Sequence, residues 1–301
     1  MDAATRRTLE FASATALQRE VPLEKAEPVS GGCIHSGFLV VAGGTRLFVK
    51  LNANDFADAF AAEVDGLAAL RGEGLRAPEP LAHGVAGGSA FIAMEWLQLG
   101  GRKDYAALGT ALAAMHRASA KRTTAAGARF GWTRDNYIGA TPQANGMDRD
   151  WGAFWRDRRL APQLALAERN GWGGALRDDL EQLMGCLPAL FRDHAPAPSL
   201  LHGDLWSGNA GFLADRTPVV FDPAVYRGDR EADVAMTELF GGFPGGFHDA
   251  YREAWPLDDG YVLRKDLYNL YHVLNHLNLF GGGYLAQSVL LARRLLAAVK
   301  R

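Results

Sequence analysis

Three oxygen-bearing side chains stand at a spacing that could serve phosphoryl transfer. Asp204 and Asn209 lie in the run Leu-His-Gly-Asp-Leu-Trp-Ser-Gly-Asn at 201–209, and Asp222 follows the apolar run 219–221. In kinases one carboxylate orients and deprotonates the attacking hydroxyl, while an amide oxygen and a second carboxylate hold Mg²⁺ against the ATP phosphates. An aspartate after His-Gly, taken alone, would only indicate a turn. The complete set predicts an ATP-dependent kinase, with Asp204 as the base and Asn209 and Asp222 as the metal ligands.

A lysine and a glutamate upstream match the pair that positions the nucleotide phosphates in kinases. Lys50 closes the apolar run 47–49, and Glu63 lies on the next predicted helix. A lysine that ends a strand is by itself more often a solvated edge residue. The chain order of strand lysine, helix glutamate, aspartate and asparagine favours the functional interpretation.

Glycines before this strand suggest the loop that covers the phosphates. Residues 30–37 read Ser-Gly-Gly-Cys-Ile-His-Ser-Gly, and we expect Gly31, Gly32 and Cys33 to contact the nucleotide, because glycines let backbone N–H groups approach an anion. The run departs from a regular G-x-G-x-x-G. Cys33 would there be open to oxidation, or to a disulfide that joins two copies as a homodimer. The alternative is an inert small residue.

Two further places could contact the substrates. Met94, Glu95 and Leu97 lie where the two lobes of a kinase would be joined, and their backbone groups could hydrogen-bond adenine. The alternative is a strand end without a ligand. Trp206 follows the proposed base by two residues, where its ring could stack on a sugar or pack in the core. The sequence leaves both interpretations of Trp206 open.

The elements around these residues predict a two-lobed, protein-kinase-like α+β fold. Residues 38–50 indicate a hairpin around Gly43-Gly44, and a small strand pair is expected within 198–221. The boundary is placed at Leu97, with a β-rich ATP-binding lobe over 1–97 and a helical catalytic and acceptor-binding lobe over 98–301. The apolar periodicity predicts helices over 55–70, 103–120, 148–169, 173–193, 230–240 and 262–299, the last broken at 281–283.

Helix patterns also assign three structural roles. Trp151 and Trp155 are four residues apart and should share one core-facing side. The arginines that follow are interpreted as a solvated face: Arg156, Arg158 and Arg159. Asp233, early in the predicted helix 230–240, is expected to anchor the catalytic loop. The alternative is an aspartate that only stabilises the first turn of that helix.

Composition limits the class of protein. The 301 residues carry a net charge of −2, with 48% hydrophobic and 22% charged residues, which is ordinary for a globular protein and does not indicate a nucleic-acid or membrane partner. No apolar run reaches membrane-spanning length. Two cysteines are too few for a disulfide framework, which favours the reducing cytoplasm.

Several runs together resemble the fructosamine kinase (ketosamine-3-kinase) family, which is related to aminoglycoside phosphotransferases. The specific ones are Trp-Ser-Gly-Asn at 206–209 and Ala-Met-Thr-Glu-Leu-Phe-Gly-Gly-Phe at 235–243. Further matches are Gly-Gly-Cys-Ile at 31–34, Asn-Tyr-Ile-Gly at 136–139 and the stretch 159–166. The bare His-Gly-Asp is shared with aminoglycoside and choline kinases.

The resemblance implies ATP-dependent phosphorylation of the sugar 3-hydroxyl of ketosamines, free or protein-bound, as a deglycation repair. Carried over by position, Asp204 is the base, Asn209 and Asp222 hold Mg²⁺, and Lys50 with Glu63 fixes ATP. The alternative is a small-molecule kinase for an aminoglycoside, an amino sugar or another polyol. The chain departs from the family pattern at Asn-Gly-Met 145–147 and Arg-Gly-Asp 227–229, which we expect near the acceptor.

Overall fold

The computed structural model describes residues 1–29 and 34–299. The chain divides into two units, each with its own internal packing. The N-terminal unit comprises residues 1–104 and 208–223, and the C-terminal unit comprises residues 105–207 and the chain from residue 224 onward. The N-terminal unit therefore extends past residue 97 and takes in the segment that carries Asn209 and Asp222, while the predicted division at residue 97 stays a prediction.

Strands are concentrated in the N-terminal third and are short elsewhere. They are β1 (Leu23–Val29), β2 (Ser36–Ala42), β3 (Thr45–Ala53), β4 (Pro80–Ala86), β5 (Ser89–Glu95), β6 (Asn136–Ile138), β7 (Thr141–Gln143), β8 (Ser199–Leu201), β9 (Ala210–Phe212), β10 (Pro218–Val220) and β11 (Tyr226–Gly228).

Helices occur in both units and predominate in the C-terminal one. They are α1 (Ala3–Leu17), α2 (Ala57–Gly72), α3 (Tyr105–Ala125), α4 (Trp151–Trp155), α5 (Ala161–Arg169), α6 (Ala175–Leu190), α7 (Glu231–Met236), α8 (Gly245–Ala254), α9 (Tyr261–Phe280) and α10 (Leu285–Val299), with a π-helical turn at Arg156–Leu160 between α4 and α5. The predicted α+β class is confirmed.

The N-terminal unit is built on a five-stranded antiparallel sheet in the order β1-β2-β3-β5-β4. The predicted hairpin is confirmed, since β2 pairs with β3 around Gly43 and Gly44. Both glycines have positive φ, which glycine adopts without a steric penalty. Helix α1 packs its buried Leu9 against the sheet, and α2 confirms the helix predicted over 55–70.

The β9–β10 hairpin also belongs to the N-terminal unit and confirms the strand pair expected within 198–221. The Val220 N–H donates to the Arg76 carbonyl at 3.0 Å, which attaches this hairpin to the loop before β4. Strand β8 also lies within 198–221, but it pairs with β11, which follows that segment in the sequence. Asn209 and Asp222 therefore flank the two ends of one hairpin.

The C-terminal unit has a core between helices. Trp151 and Trp155 are buried with ring centroids 5.3 Å apart, as predicted, and both pack on Tyr268 of α9. The break predicted at 281–283 is confirmed by the separation of α9 from α10. Helix α8 was not predicted, because glycines at its start hide a helical pattern. Within the described residues, no helix has the length and apolar character of a membrane span.

Candidate active site

A buried lysine of the N-terminal unit is held between two carboxylates. Strand β3 carries Lys50, whose Nζ donates to Glu63 Oε1 of α2 at 2.6 Å and to Asp222 Oδ1. Burial opposes the charge on Lys50, but the carboxylates of Asp222 and Glu63 outweigh it and hold the lysine pKa above its ordinary value. Lys50 is therefore a fixed cation and not a solvated edge residue, and the structure brings together three of the predicted residues.

Asp222 and Asn209 lie at the two ends of the β9–β10 hairpin. The Phe221 N–H donates to the Asn209 carbonyl at 3.1 Å, which joins the two segments. Asp222 has φ +57°, a conformation that non-glycine residues rarely adopt and that often marks a functional position. Its carboxylate is about half exposed although it contacts Lys50. An amide oxygen and an accessible carboxylate are hard oxygen ligands, so this pair fits Mg²⁺.

The predicted phosphate loop lies largely outside the described residues. Gly31, Gly32 and Cys33 are among the undescribed residues, so their nucleotide contacts and the redox or dimer role of Cys33 stay predictions. The described part resumes at Ile34, before β2. The next residue, His35, accepts through Nδ1 from Asn52 Nδ2 at 2.8 Å. Burial, with Lys50 nearby, lowers the pKa of His35 to about 4, so its ring is neutral at physiological pH.

The segment predicted to contact adenine closes strand β5. Met94 is buried, and the Glu95 carboxylate is fixed by Arg76 and by the Glu79 N–H. The hydrogen bonds from Arg76 lower the Glu95 pKa. The Glu95 side chain is thus used within the N-terminal unit, and a nucleotide contact here, including Leu97, would fall to the backbone.

The loop that carries Asp204 belongs to the C-terminal unit and is anchored by a buried carboxylate. Asp233 accepts the N–H of His202 at 2.7 Å and of Gly203 at 2.8 Å, which confirms its predicted anchoring role. Gly203 has φ +84°, and a Cβ there would lie 2.1 Å from the Ala224 carbonyl oxygen. Only glycine fits this close approach without a steric clash.

A histidine that the sequence did not reveal lies beside the proposed base. His272 of α9 places Nδ1 3.9 Å from Asp204 Oδ1. Burial lowers the pKa of His272 to about 3, so the contact is between a neutral ring and a carboxylate and is not an ion pair. Its only sequence signal is a histidine on an apolar helix face, which usually indicates core packing. Trp206 is 37% exposed, so part of its indole is open to solvent.

One arginine of the predicted solvated face is buried, which corrects that prediction. Arg156 and Arg158 are exposed, but Arg159 has no solvent exposure. Arg159 follows Trp155 by four residues, so it lies on the same buried side as Trp151 and Trp155. Arg159 donates to Asn145 Oδ1 at 2.9 Å and stacks on Tyr226 at 4.0 Å.

Buried amides extend from Arg159 to the backbone beyond Pro223. Asn145 donates to Asn136 Oδ1, and Asn136 donates to the Val225 carbonyl at 2.7 Å. Gln143 donates to the Ala224 carbonyl at 3.1 Å, and the Ala224 N–H donates to the His202 carbonyl at 2.8 Å. The network therefore fixes the backbone at Ala224 and Val225, which is hydrogen-bonded to the loop that carries Asp204. Asn145 belongs to the run 145–147, which departs from the family pattern, and its side chain is part of this buried network.

The run 227–229, the second departure from the family pattern, also contributes a buried side chain. Asp229 is buried, accepts from Tyr268 Oη at 2.5 Å and pairs with His194 Nε2 at 2.6 Å. Burial disfavours a charged His194, but the Asp229 hydrogen bond outweighs burial and raises the His194 pKa above its ordinary value of 6.5.

This pair predicts a pH-dependent part of the stability. Because the folded-state pKa of His194 is raised, its stabilisation is complete below pH 6.5 and is lost as the pH rises through the folded-state value. Thermal unfolding between about pH 6 and pH 8 should show wild type losing more Tm than His194→Gln. His83→Gln, which changes an exposed histidine of β4, should match wild type. Equal losses in wild type and His194→Gln would contradict the prediction.

Comparison with known proteins finds relatives named as kinases of ketoamines and ribulosamines. A family profile described as fructosamine kinase matches residues 6–298. A Synechocystis sp. protein named "Probable ketoamine kinase" is 44% identical over 273 residues, covering 88% of each chain. A chloroplastic protein-ribulosamine 3-kinase of Arabidopsis thaliana is 40% identical, covering 87% of this chain and 79% of the relative.

The fold comparison agrees. The crystal structure of a candidate fructosamine-3-kinase from Haemophilus somnus has a TM-score of 0.86 and 26% identity and covers 97% of each chain. The predicted kinase-like fold is thus confirmed, and so is the resemblance, because the family match spans both units. The chain belongs to the fructosamine kinase family.

Proposed function

We propose that the protein transfers the γ-phosphoryl group of ATP to the 3-hydroxyl of ketosamines. In this reaction a bond forms between the sugar oxygen and the phosphorus, the bond from phosphorus to the ADP oxygen breaks, and the hydroxyl proton passes to Asp204. The observation that carries the proposal is the family match over residues 6–298 in a chain that keeps the complete set of kinase residues: Lys50, Glu63, Asp204, Asn209 and Asp222.

The described contacts support a division of roles. Lys50, fixed by Glu63, would hold the ATP phosphates as a permanent cation. Asp204, on a loop fixed by Asp233, would align the acceptor hydroxyl and accept its proton late in the reaction. Asn209 and Asp222 would hold Mg²⁺, which supplies charge neutralisation to the phosphates when bound.

The exposed indole of Trp206 supports a sugar acceptor. Aromatic rings stack on the C–H faces of sugars, and Trp206 lies two residues from the proposed base. The acceptor would be a free or a protein-bound ketosamine, as the relatives named ketoamine kinase and protein-ribulosamine 3-kinase suggest. The same names do not favour the alternative, an aminoglycoside or polyol acceptor. The low cysteine content supports a cytoplasmic location.

Regulation by an activation segment is not expected. Only ten residues separate Asp222 from Asp233 in the sequence. The first of them, Pro223, has a fixed φ angle and restricts the backbone there. We therefore propose that the enzyme is active as synthesised. A requirement for phosphorylation before the first turnover would contradict this.

The test is phosphate transfer from Mg·ATP to synthetic fructosyl-lysine and ribulosyl-lysine, in parallel with kanamycin and unmodified fructose. We expect turnover of the ketosamines alone, with the product phosphorylated at the 3-hydroxyl by NMR. Turnover of kanamycin without turnover of either ketosamine would replace the proposal by its alternative.

A further inference from the structure

A histidine and two carboxylates from distant parts of the sequence meet within the C-terminal unit. His194 lies between α6 and β8, Glu231 is the first residue of α7, and Asp258 lies between α8 and α9. One nitrogen or oxygen atom of each lies within 4.8 Å of the others. His194 and Glu231 are buried, whereas the Asp258 carboxylate is 58% exposed. We call these three residues the His194 cluster, and the proposed phosphoryl transfer uses none of them.

The hydrogen bonds of the His194 ring leave one nitrogen facing the cluster. Nε2 lies 2.6 Å from Asp229 Oδ2, and the same carboxylate accepts from Tyr268 Oη and from the Glu231 N–H. An ionised carboxylate only accepts, so Nε2 carries the proton and Nδ1 of the neutral ring presents a lone pair. Nδ1 is buried and makes no hydrogen bond among the described residues. A buried polar atom of this kind calls for a partner.

The atom that Nδ1 faces is also an acceptor. Nδ1 of His194 lies 3.0 Å from Asp258 Oδ2, and two acceptors at this distance repel each other unless a proton or a cation lies between them. Although the distance is short enough, the alignment of the two atoms is not that of a hydrogen bond. Two atoms bound to one metal ion at about 2.0–2.2 Å each would stand ~3 Å apart. The spacing therefore fits a pair of metal ligands.

The contact on the other side of the ring is the one that metal-bound histidines make. Such a histidine almost always donates its second ring N–H to a carboxylate, a carbonyl or water, which fixes the tautomer and makes the free nitrogen a better ligand. Asp229 provides this carboxylate at 2.6 Å, and Tyr268 in turn holds Asp229. The ring of His194 is thus already oriented with Nδ1 toward Asp258 and Glu231.

The charges around the cluster favour one further cation. Arg264 donates to both oxygens of Glu231, at 2.7 and 2.9 Å, and Arg230 Nη2 lies 3.9 Å from Asp258 Oδ1. Each carboxylate oxygen has two lone pairs, so Glu231 can accept from Arg264 and still bind an ion. Together with the carboxylate that holds Nε2, three carboxylates face two guanidinium groups. A neutral imidazole therefore leaves one negative charge in excess, which a bound cation would offset.

From this geometry we infer that the His194 cluster binds a Zn²⁺ ion that stabilises the C-terminal unit. Nδ1 of His194 and one oxygen each of Glu231 and Asp258 supply three ligands, and water completes the site on its exposed side. An imidazole ligand favours Zn²⁺ over Mg²⁺, which prefers oxygen donors. The ion joins the α8–α9 connection to α7, the helix whose Asp233 anchors the catalytic loop. It shares no ligand with the proposed Mg²⁺ site.

The experiment measures Zn²⁺ binding and thermal unfolding of the full chain after treatment with a chelator. Titration calorimetry should show Zn²⁺ binding that depends on this cluster. At a hundredfold excess of ZnCl₂ over Kd, Tm should rise by about 5 °C, and MgCl₂ at the same concentration should not reproduce this rise.

Two variants remove one ligand each. Asp258→Asn changes a largely exposed carboxylate, and His194→Gln removes the nitrogen ligand but keeps a donor for Asp229. Each should weaken Zn²⁺ binding at least about tenfold, the loss that follows even from removing an outer contact of a metal ligand. Asp259→Asn is the matched control, because Asp259 is an exposed carboxylate of the same connection, and it should respond to ZnCl₂ as wild type does.

The outcomes distinguish this site from the proposed Mg²⁺ site. Asp222→Asn should keep the wild-type response to ZnCl₂, and loss of the response in that variant would overturn the assignment. An undiminished rise of Tm in Asp258→Asn or in His194→Gln would overturn it as well, since the ion would then bind elsewhere. So would the absence of Zn²⁺ binding in wild type. None of these measurements is of kinase activity, so the proposed function stands under every outcome.

Discussion

Asp204→Asn is expected to lower kcat for a ketosamine by roughly 10³-fold, the usual effect of removing a general base. Asparagine keeps the size of the side chain but cannot accept a proton from the hydroxyl. The loop itself should persist, because Asp233 holds it through the backbone of His202 and Gly203. Binding of ADP and the thermal midpoint should therefore stay near the wild-type values, and the loss should be confined to kcat.

A second carboxylate of the same unit serves as the control. Asp193 is exposed between α6 and β8, so Asp193→Asn should retain wild-type kcat and KM. Single-turnover rates and nucleotide titration calorimetry would separate chemistry from binding. Wild-type turnover in Asp204→Asn would exclude Asp204 as the base and direct attention to another acceptor of the proton.

Much of the fold could be predicted because its signals are local. The glycine pair 43–44 marks a hairpin whatever surrounds it, and the periodicity of 55–70 marks a helix. The pairing of β8 with β11 could not be predicted, since three-residue strands carry almost no pattern. Helix α8 was missed for a related reason, because flanking glycines mask its amphipathic face.

The candidate site divides in the same way. The residue types and order of Lys50, Glu63, Asp204, Asn209 and Asp222 are visible in the sequence because kinase chemistry restricts them. The burial of Arg159 follows from its position four residues after the buried Trp155, which the assignment of all three arginines to one solvated face overlooked. His272 was missed because its proximity to Asp204 arises only from tertiary packing.

The largest combined effect on activity and stability is expected for Lys50→Met. The change removes the cation between Glu63 and Asp222, and Glu63 is left as a mostly buried carboxylate without its partner. Breaking a buried ion pair from one side typically costs about 3–5 kcal/mol. The half-exposed Asp222 places this variant toward the lower end of that range. Loss of the phosphate-binding charge should also lower kcat/KM for ATP by roughly 10²-fold or more.

A double variant separates the two effects. Lys50→Met combined with Glu63→Leu removes both members of the pair, and replacing a buried ion pair by apolar residues often restores stability. Measured by urea unfolding, the double variant should recover most of the free energy of unfolding that Lys50→Met loses. Its kcat/KM for ATP should stay at the low level of Lys50→Met. Lys25→Met removes an exposed lysine that pairs with Glu27 in the same sheet, and should change stability by less than about 1 kcal/mol. Recovery of activity together with stability would show that Lys50 supports the fold and not the phosphates.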